Sequence, residues 1–142
     1  MSVRQGRPQN FIADDILIET KDGVALLGGR SKDSGTFVFP VPKGAEGDRY
    51  EKVALSRQGA LWTYTVQRFP PKAPYLGEQD PAKFRPFAVG YVELEDQLLI
   101  EARLDVEDPD ALRIGQKMEL TFIDLAKAEG GSVLRTFAFR PV

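Results

Sequence analysis

The chain has 142 residues, 42% of them hydrophobic and 28% charged, which is the size and composition of a single globular domain with its own core. Its net charge of -2 and pI of about 5.3 argue against a nucleic-acid partner, because phosphate binding normally needs a concentrated basic surface. The sequence contains no Cys and no His, which excludes disulfides, thiolate-ligated metal sites and catalytic triads of the Ser-His-Asp or Cys-His type.

The first segment of the chain carries no long apolar run. Residues 10–19, NFIADDILIE, predict either a helix capped by Asn10 or an extended arm. Asp14 and Asp15 interrupt the apolar residues, which is not the pattern of a signal peptide. No segment of the sequence reaches the roughly 20 apolar residues of a membrane span. We therefore expect a cytoplasmic protein.

The next segment predicts a hairpin and a connection. Residues 24–30 and 36–39 are short apolar runs, and the turn between them, SKDSG, ends on a glycine that supplies a positive φ. Residues 40–48 are rich in Pro and Gly, which interrupts regular structure. Residues 49–56 predict one more short strand. We expect this part of the chain to be otherwise irregular.

The remainder of the chain predicts five strands. Aromatic, β-branched or alternating residues mark each of them, at residues 60–69, 84–95, 97–105, 116–125 and 133–142. The period of two places Trp62 and Tyr64 on one face of the first strand. One helical turn within 106–115 separates the third strand from the fourth, which is the outline of an OB-type barrel. The sequence therefore predicts a mainly β protein, with an arm and hairpin at 1–57 and a five-stranded barrel at 58–142.

Five stretches of the sequence carry a family resemblance. They are LLGGRSKDSGTFVFP, GALWTYTVQRFPP, FRPFAVGYVELEDQLLIEARL, DPDALRIGQKMELTF and FAFRP. In this order they resemble the acyl-CoA-associated family that joins an N-terminal, rubredoxin-like zinc ribbon to a C-terminal OB-fold (domain of unknown function thirty-five). The resemblance covers about residues 25 to 141.

The resemblance implies a function as well as a fold. Members of this family are small subunits without catalysis of their own, and they accompany thiolases, aldolases and hydratases that act on CoA-linked intermediates. For this chain it implies a non-catalytic accessory subunit in a hetero-oligomer, which binds a thiolase-like or related acyl-CoA enzyme and helps to shape its CoA channel. It implies no cofactor, no catalytic residue and no membrane partner.

The chain departs from the family at the zinc ribbon. Ser31 and Ser34 stand where the family carries its first Cys pair, and no second pair follows Phe39 and Pro40. We therefore expect a metal-free remnant of the ribbon, held by packing on the barrel or on a partner. An alternative is that Ser31, Asp33 and Ser34 bind Mg²⁺ or Ca²⁺, although these residue types are also typical of a simple turn, which is the favoured interpretation.

Candidate binding residues lie on the hairpin and on the long loop 68–86, between the first two barrel strands. Apolar side chains on loops mark interaction surfaces, and the candidates for contact with a partner are Phe37, Phe39, Phe69, Pro70, Tyr75 and Phe84. Basic side chains of the same loop are candidates for contact with CoA phosphates, namely Arg68, Lys72, Lys83 and Arg85. Alternatively, the loop folds back over the barrel and its charges are solvated.

Two other classes of function stay open. OB-folds also bind single-stranded nucleic acid, and Trp62 with Tyr64 could stack on bases, although core or interface packing is the better interpretation. A stand-alone enzyme would have to use Asp, Glu, Lys, Tyr or Ser. Glu93, Glu95 and Asp96 could serve it as acid and base, although their position beside a hairpin favours a solvated turn.

Overall fold

The structure, a computed structural model, describes residues 16–69, 84–95, 97–127 and 133–142. No helix within these ranges is long and apolar enough to cross a membrane. The described residues form an N-terminal sheet followed by a closed barrel, with nine strands in all.

The N-terminal sheet has four strands, β1 (Leu17–Thr20), β2 (Gly23–Ser31), β3 (Phe37–Val38) and β4 (Tyr50–Ala54). The long β2 is the centre of this sheet, because it pairs antiparallel with each of the other three. The three predicted strands agree with β2, β3 and β4. For residues 17–20 the structure agrees with the extended alternative rather than the helix, because these residues pair with the first half of β2.

The barrel follows as β5 (Gln58–Gln67), β6 (Phe87–Leu94), β7 (Leu99–Leu104), β8 (Lys117–Lys127) and β9 (Val133–Pro141). Its strand order is β5-β6-β7-β9-β8, and it closes where β8 pairs with β5. The β7–β9 pair is parallel and the other pairs are antiparallel. A 3-10 helix at Pro109–Ala111 lies between β7 and β8, with the Asp108 carboxylate accepting from the Asp110 amide. The predicted five-stranded OB-type barrel is confirmed.

Alternation of side chains along the strands fills the barrel. In β7, Ile100, Ala102 and Leu104 are buried, whereas Leu99 and Glu101 face outward and are exposed. The same alternation holds in β6. Because a strand presents successive side chains to opposite faces, each of these strands contributes one apolar row to the core and one row to the outer face of the barrel.

The core of the barrel continues into the N-terminal sheet. One cluster of buried side chains joins Leu17, Val24 and Leu26 of that sheet to Leu61 and Phe139 of the barrel. Backbone hydrogen bonds hold the linker between β4 and β5 on both sides, from the Leu55 amide to the Leu26 carbonyl of the sheet (2.9 Å) and from the Leu120 amide of the barrel to the Arg57 carbonyl (2.7 Å). The sheet and the barrel therefore share a single hydrophobic core.

A β-bulge in β5 changes which side chains face outward. The pairing of β5 with β6 shifts between Leu61 and Thr63, so that Trp62 is an extra residue in the strand. The predicted common face for Trp62 and Tyr64 is wrong for this reason. Trp62 is exposed, whereas Tyr64 packs against the core and donates its hydroxyl to the Leu112 carbonyl (3.1 Å).

Gly90 allows β5 and β6 to approach each other closely. A Cβ atom at this position would lie 2.4 Å from the carbonyl oxygen of Thr63 and 3.0 Å from Cδ1 of Leu104. We expect Gly90→Ala to lower the free energy of unfolding by about 1–3 kcal/mol, since the backbone must shift to relieve the clash. Urea denaturation measures this, with the exposed Gln58→Ala as a control that stays within about 0.5 kcal/mol of the unchanged protein. Equal stability of all three proteins would contradict the close approach.

Candidate partner-binding surface

The turn of the N-terminal hairpin is closed by the serines that were predicted to replace metal ligands. The Ser31 hydroxyl accepts from the backbone amides of Asp33 (3.3 Å) and Ser34 (3.1 Å), and the Gly35 amide donates to the Ser31 carbonyl (2.9 Å). Gly35 has a φ of 76°, which glycine adopts without strain. Among the described residues, no group of three or more His, Cys, Asp or Glu side chains could hold a metal ion. The geometry is that of a turn closed by the Ser31 hydroxyl.

These residues do not fit a zinc ion either. Zinc in a ribbon is bound by Cys or His, and the sequence has neither. The hairpin is instead held by packing: the Phe39 ring meets the Phe137 ring of β9 edge to face at 5.9 Å, and the Arg30 guanidinium lies 5.8 Å from the centre of the Phe37 ring. Phe137 of the barrel thus packs against the end of the hairpin.

The Ser31 hydroxyl should have a measurable effect on stability. Replacing Ser31 with Ala removes the acceptor for two backbone amides, and we expect the free energy of unfolding to fall by about 0.5–1.5 kcal/mol, since the amides are exposed and regain water. Thermal or urea unfolding measures the change. Lys32→Ala in the same turn is the control and is expected to have no effect, because its side chain is exposed and only its backbone amide is bonded. A Ser31→Ala protein as stable as this control would refute the role of the hydroxyl.

The predicted partner-binding aromatics lie in different environments. Phe37 and Phe39 are half-buried and pack against the core, and the half-buried Phe84 ring lies 5.8 Å from the Phe87 ring. Phe69 is 77% exposed. Of these four side chains, Phe69 therefore presents the largest free surface, and the other three contribute to folding as well. Two further candidates, Pro70 and Tyr75, lie outside the described residues.

The predicted CoA-binding cations also lie in different environments. Arg68 forms an ion pair with Asp110 (3.0 Å), and both side chains are exposed. Arg85 is exposed beside an open groove of about 500 Å³, whose lining also includes Asp105 and Asp124. Asp124 is paired with Arg135 (3.1 Å), and Asp105 is a second carboxylate in this groove. Lys72 and Lys83 lie outside the described residues, so the structure places only Arg68 and Arg85 of the four cations.

A second groove lies between the hairpin and the outer face of the barrel. It is open, has a volume of about 580 Å³, and includes among its lining residues Phe39, Pro40, Tyr91, Glu101, Arg103 and Phe137. Glu101 is the one carboxylate among the described residues that line it, and it accepts a hydrogen bond from the Tyr91 hydroxyl (3.2 Å). A shallow groove with one engaged carboxylate suits binding better than acid–base catalysis, which needs titrating groups that converge on a substrate.

Sequence reasoning missed an aromatic patch beside this groove. Trp62 is 54% exposed, Tyr91 40% and Leu99 38%, and the Trp62 and Tyr91 rings meet edge to face at 6.4 Å. The bulge that exposes Trp62 leaves no signal in the sequence. Leu99 did give a signal, because it is an apolar residue in the otherwise polar row of β7.

The acidic residues considered above as an acid and base are not brought together in a cleft of the described structure. Glu93 and Glu95 are exposed near the end of β6. Asp96 lies outside the described residues.

Comparison with protein families gives a match to half of the chain. Residues 52–122, which are 71 of the 142 residues, match the family model described as ChsH2, C-terminal OB-fold domain. The matched segment runs from β4 into β8 and includes the helical turn between β7 and β8.

Curated relatives match over most of their length. The chain is 28% identical over 127 residues to a DUF35 domain-containing scaffold protein of Methanocaldococcus jannaschii, covering 86% of this chain and 85% of the relative. It is also 28% identical over 137 residues to the benzoylsuccinyl-CoA thiolase subunit BbsA of Thauera aromatica, covering 93% and 88%. Among solved structures, the Ltp2-ChsH2(DUF35) aldolase has a chain with the same fold, with a TM-score of 0.55, 21% identity and coverage of 82% and 84%.

Proposed function

The chain belongs to the family described as the C-terminal OB-fold domain of ChsH2, and on this premise we propose that it is a non-catalytic accessory subunit that binds a thiolase-like acyl-CoA enzyme. One observation carries the proposal: relatives that match more than four-fifths of the chain are named as scaffold proteins and as a thiolase subunit. An aldolase or a hydratase acting on an acyl-CoA is the alternative partner, which the fold shared with the Ltp2-ChsH2(DUF35) aldolase supports.

The geometry of the described surface supports a binding role. The groove beside Phe39 is open and mixed in polarity, and its carboxylate, Glu101, is already hydrogen-bonded. Tyr91 and Leu99 are exposed apolar side chains that line the groove, and Phe69 is exposed elsewhere on the surface. Such residues are commonly buried in protein complexes. In this proposal the hairpin segment 1–57 and the barrel 58–142 both contact the enzyme.

Particular residues have particular roles in this proposal. The partner buries the exposed ring of Phe69 and the exposed parts of Phe37, Phe39 and Phe84. It also contacts Pro70 and Tyr75 of the loop. The CoA channel of the enzyme receives the basic residues of the loop, which are Arg68, Lys72, Lys83 and Arg85. The Arg68–Asp110 ion pair is exposed and therefore weak, so it opens at little cost when a phosphate approaches.

Co-purification tests the proposal. A tagged form of the chain, expressed in its native source, should bring down a thiolase-fold, aldolase or hydratase subunit in a defined ratio, measured by native mass spectrometry of the purified complex. The isolated chain should show no turnover of acyl-CoA substrates. Recovery of the chain as a self-sufficient monomer, or turnover by the isolated chain, would overturn the proposal.

A further inference from the structure

The outer face of β5, β6 and β7 carries an apolar patch that the fold itself does not use. Trp62, Tyr91 and Leu99 are large, they face outward from three adjacent strands, and each is more than a third exposed. Trp62 and Tyr91 are in ring contact. Tyr91 and Leu99 also line the groove beside the hairpin, so the patch and the groove form one continuous surface.

Carboxylates border this patch. Glu101 stands opposite Tyr91 in the β6–β7 ladder, and Glu93 stands opposite Leu99. Glu95 follows at the end of β6. Among the described residues, Glu93 and Glu95 form no ion pair, and Glu101 accepts a hydrogen bond from the Tyr91 hydroxyl. The surroundings of the patch are therefore negative on the side of the β6–β7 turn.

Arg103, a cation that lines the same groove, is turned toward a ring. The Arg103 guanidinium lies 3.7 Å from the centre of the Phe87 ring, further along β6 and β7 and away from the turn that carries the carboxylates. Its charge is engaged with the ring face, in a cation–π contact. The negative border is thus left to attract a positive group from outside the chain.

Aromatic side chains with an acidic border select one kind of ligand. OB-folds use this strand face for oligonucleotides, where stacking is combined with a positive groove that follows the phosphates. Here the border would repel phosphates. Trp and Tyr are the side chains that most often dominate the binding energy of protein interfaces, and a carboxylate border complements Lys or Arg of a partner.

We propose that Trp62, Tyr91 and Leu99 form a docking site for a polypeptide segment of the acyl-CoA enzyme, one that places an apolar side chain on the aromatic pair and Lys or Arg beside Glu93 and Glu101. The identity of the partner rests on the proposed function. The site itself rests on the exposure, ring contact and charge of the described residues.

Affinity measurements on the purified complex test the site. Trp62→Ala should weaken binding of the enzyme subunit by about tenfold or more, as truncation of a central aromatic does in other interfaces. Glu93→Lys should weaken it as well and reduce its dependence on salt. Val142→Ala, an exposed apolar residue at the C-terminus, is the control and should bind like the unchanged protein. Far-UV circular dichroism confirms that each variant is folded.

Photo-crosslinking tests the chemistry of the partner. Trp62 is replaced by p-benzoylphenylalanine, the complex is irradiated, and the crosslinked peptide of the enzyme is sequenced. The expected peptide carries Lys or Arg within a few residues of the crosslinked position. A peptide without basic residues, or no crosslink in an intact complex, would overturn the docking site while leaving the proposed function in place.

The failures of the two proposals are distinguishable. If the unchanged protein binds no acyl-CoA enzyme, the proposed function is wrong and this site loses its partner. If it binds the enzyme and the Trp62→Ala and Glu93→Lys variants bind equally well, only the docking site is wrong. Binding of the unchanged protein to a single-stranded oligonucleotide, lost in Trp62→Ala, would overturn the site in favour of nucleic acid.

Discussion

Replacing Phe139 with Ala is expected to lower the free energy of unfolding by about 3–5 kcal/mol. Phe139 is 0% exposed and is among the largest fully buried side chains of the described chain. It lies in β9, where it stands opposite Leu104 of the parallel strand β7 and Leu120 of the antiparallel strand β8. Truncation therefore leaves a cavity at the point where three strands of the barrel meet, and domains of this size have only about 5–15 kcal/mol of stability in total.

Chemical denaturation measures this effect, and the chain offers a matched control. Phe69→Ala makes the same chemical change at a side chain that is 77% exposed, and it should shift the free energy of unfolding by less than about 0.5 kcal/mol. If the two variants lose the same stability, the burial of Phe139 in the barrel core is wrong. A Phe139→Leu variant should recover part of the loss, because it refills part of the volume.

Replacing Leu26 with Ala is expected to cost about 2–5 kcal/mol and to destabilise the barrel as well as the N-terminal sheet. Leu26 is 1% exposed and belongs to the buried cluster that includes Leu61 and Phe139. Because the sheet and the barrel share this cluster, they should unfold in one cooperative transition. Trp62, the single Trp of the sequence, lies in the barrel and reports on its unfolding by fluorescence.

Comparison of the unfolding midpoints from Trp62 fluorescence and from far-UV circular dichroism tests this prediction. In the Leu26→Ala protein, Trp62 fluorescence and far-UV circular dichroism should both move to the same lower denaturant midpoint. Leu99→Ala, the same change at a residue of the outer face, should have at most half the effect, since 38% of its side chain is already exposed. An unchanged fluorescence midpoint in Leu26→Ala would mean that the sheet unfolds independently of the barrel.

The barrel was predictable because its signals are local. Alternation in QLLIEARL places Ile100, Ala102 and Leu104 inside, and the pattern around Pro109 predicts one helical turn before the fourth barrel strand; the structure has both. The resemblance to the family of domain of unknown function thirty-five is also confirmed, by the family match and by the relatives that carry this name. The first two inferences used residues that are close together in the sequence. The third used the order in which short segments follow one another along the sequence.

The surface was less predictable because it depends on pairing between distant residues. The bulge that turns Trp62 outward is a property of the β5–β6 register, and the strand at 17–20 exists because β2 is long enough to pair with it. Phe39 reads as a free aromatic of a hairpin, but a contact with Phe137, almost a hundred positions further on, partly buries it. The roles of the candidate binding residues stay predictions.

The continuity of the core between the N-terminal sheet and the barrel has a thermodynamic consequence for assembly. An enzyme that contacts both the sheet and the barrel binds a preorganised surface. The two elements do not move independently, because Leu17, Val24 and Leu26 of the sheet are already packed with barrel residues. Formation of the complex then costs this subunit little conformational entropy. A larger share of the free energy of the contacts therefore appears as binding affinity.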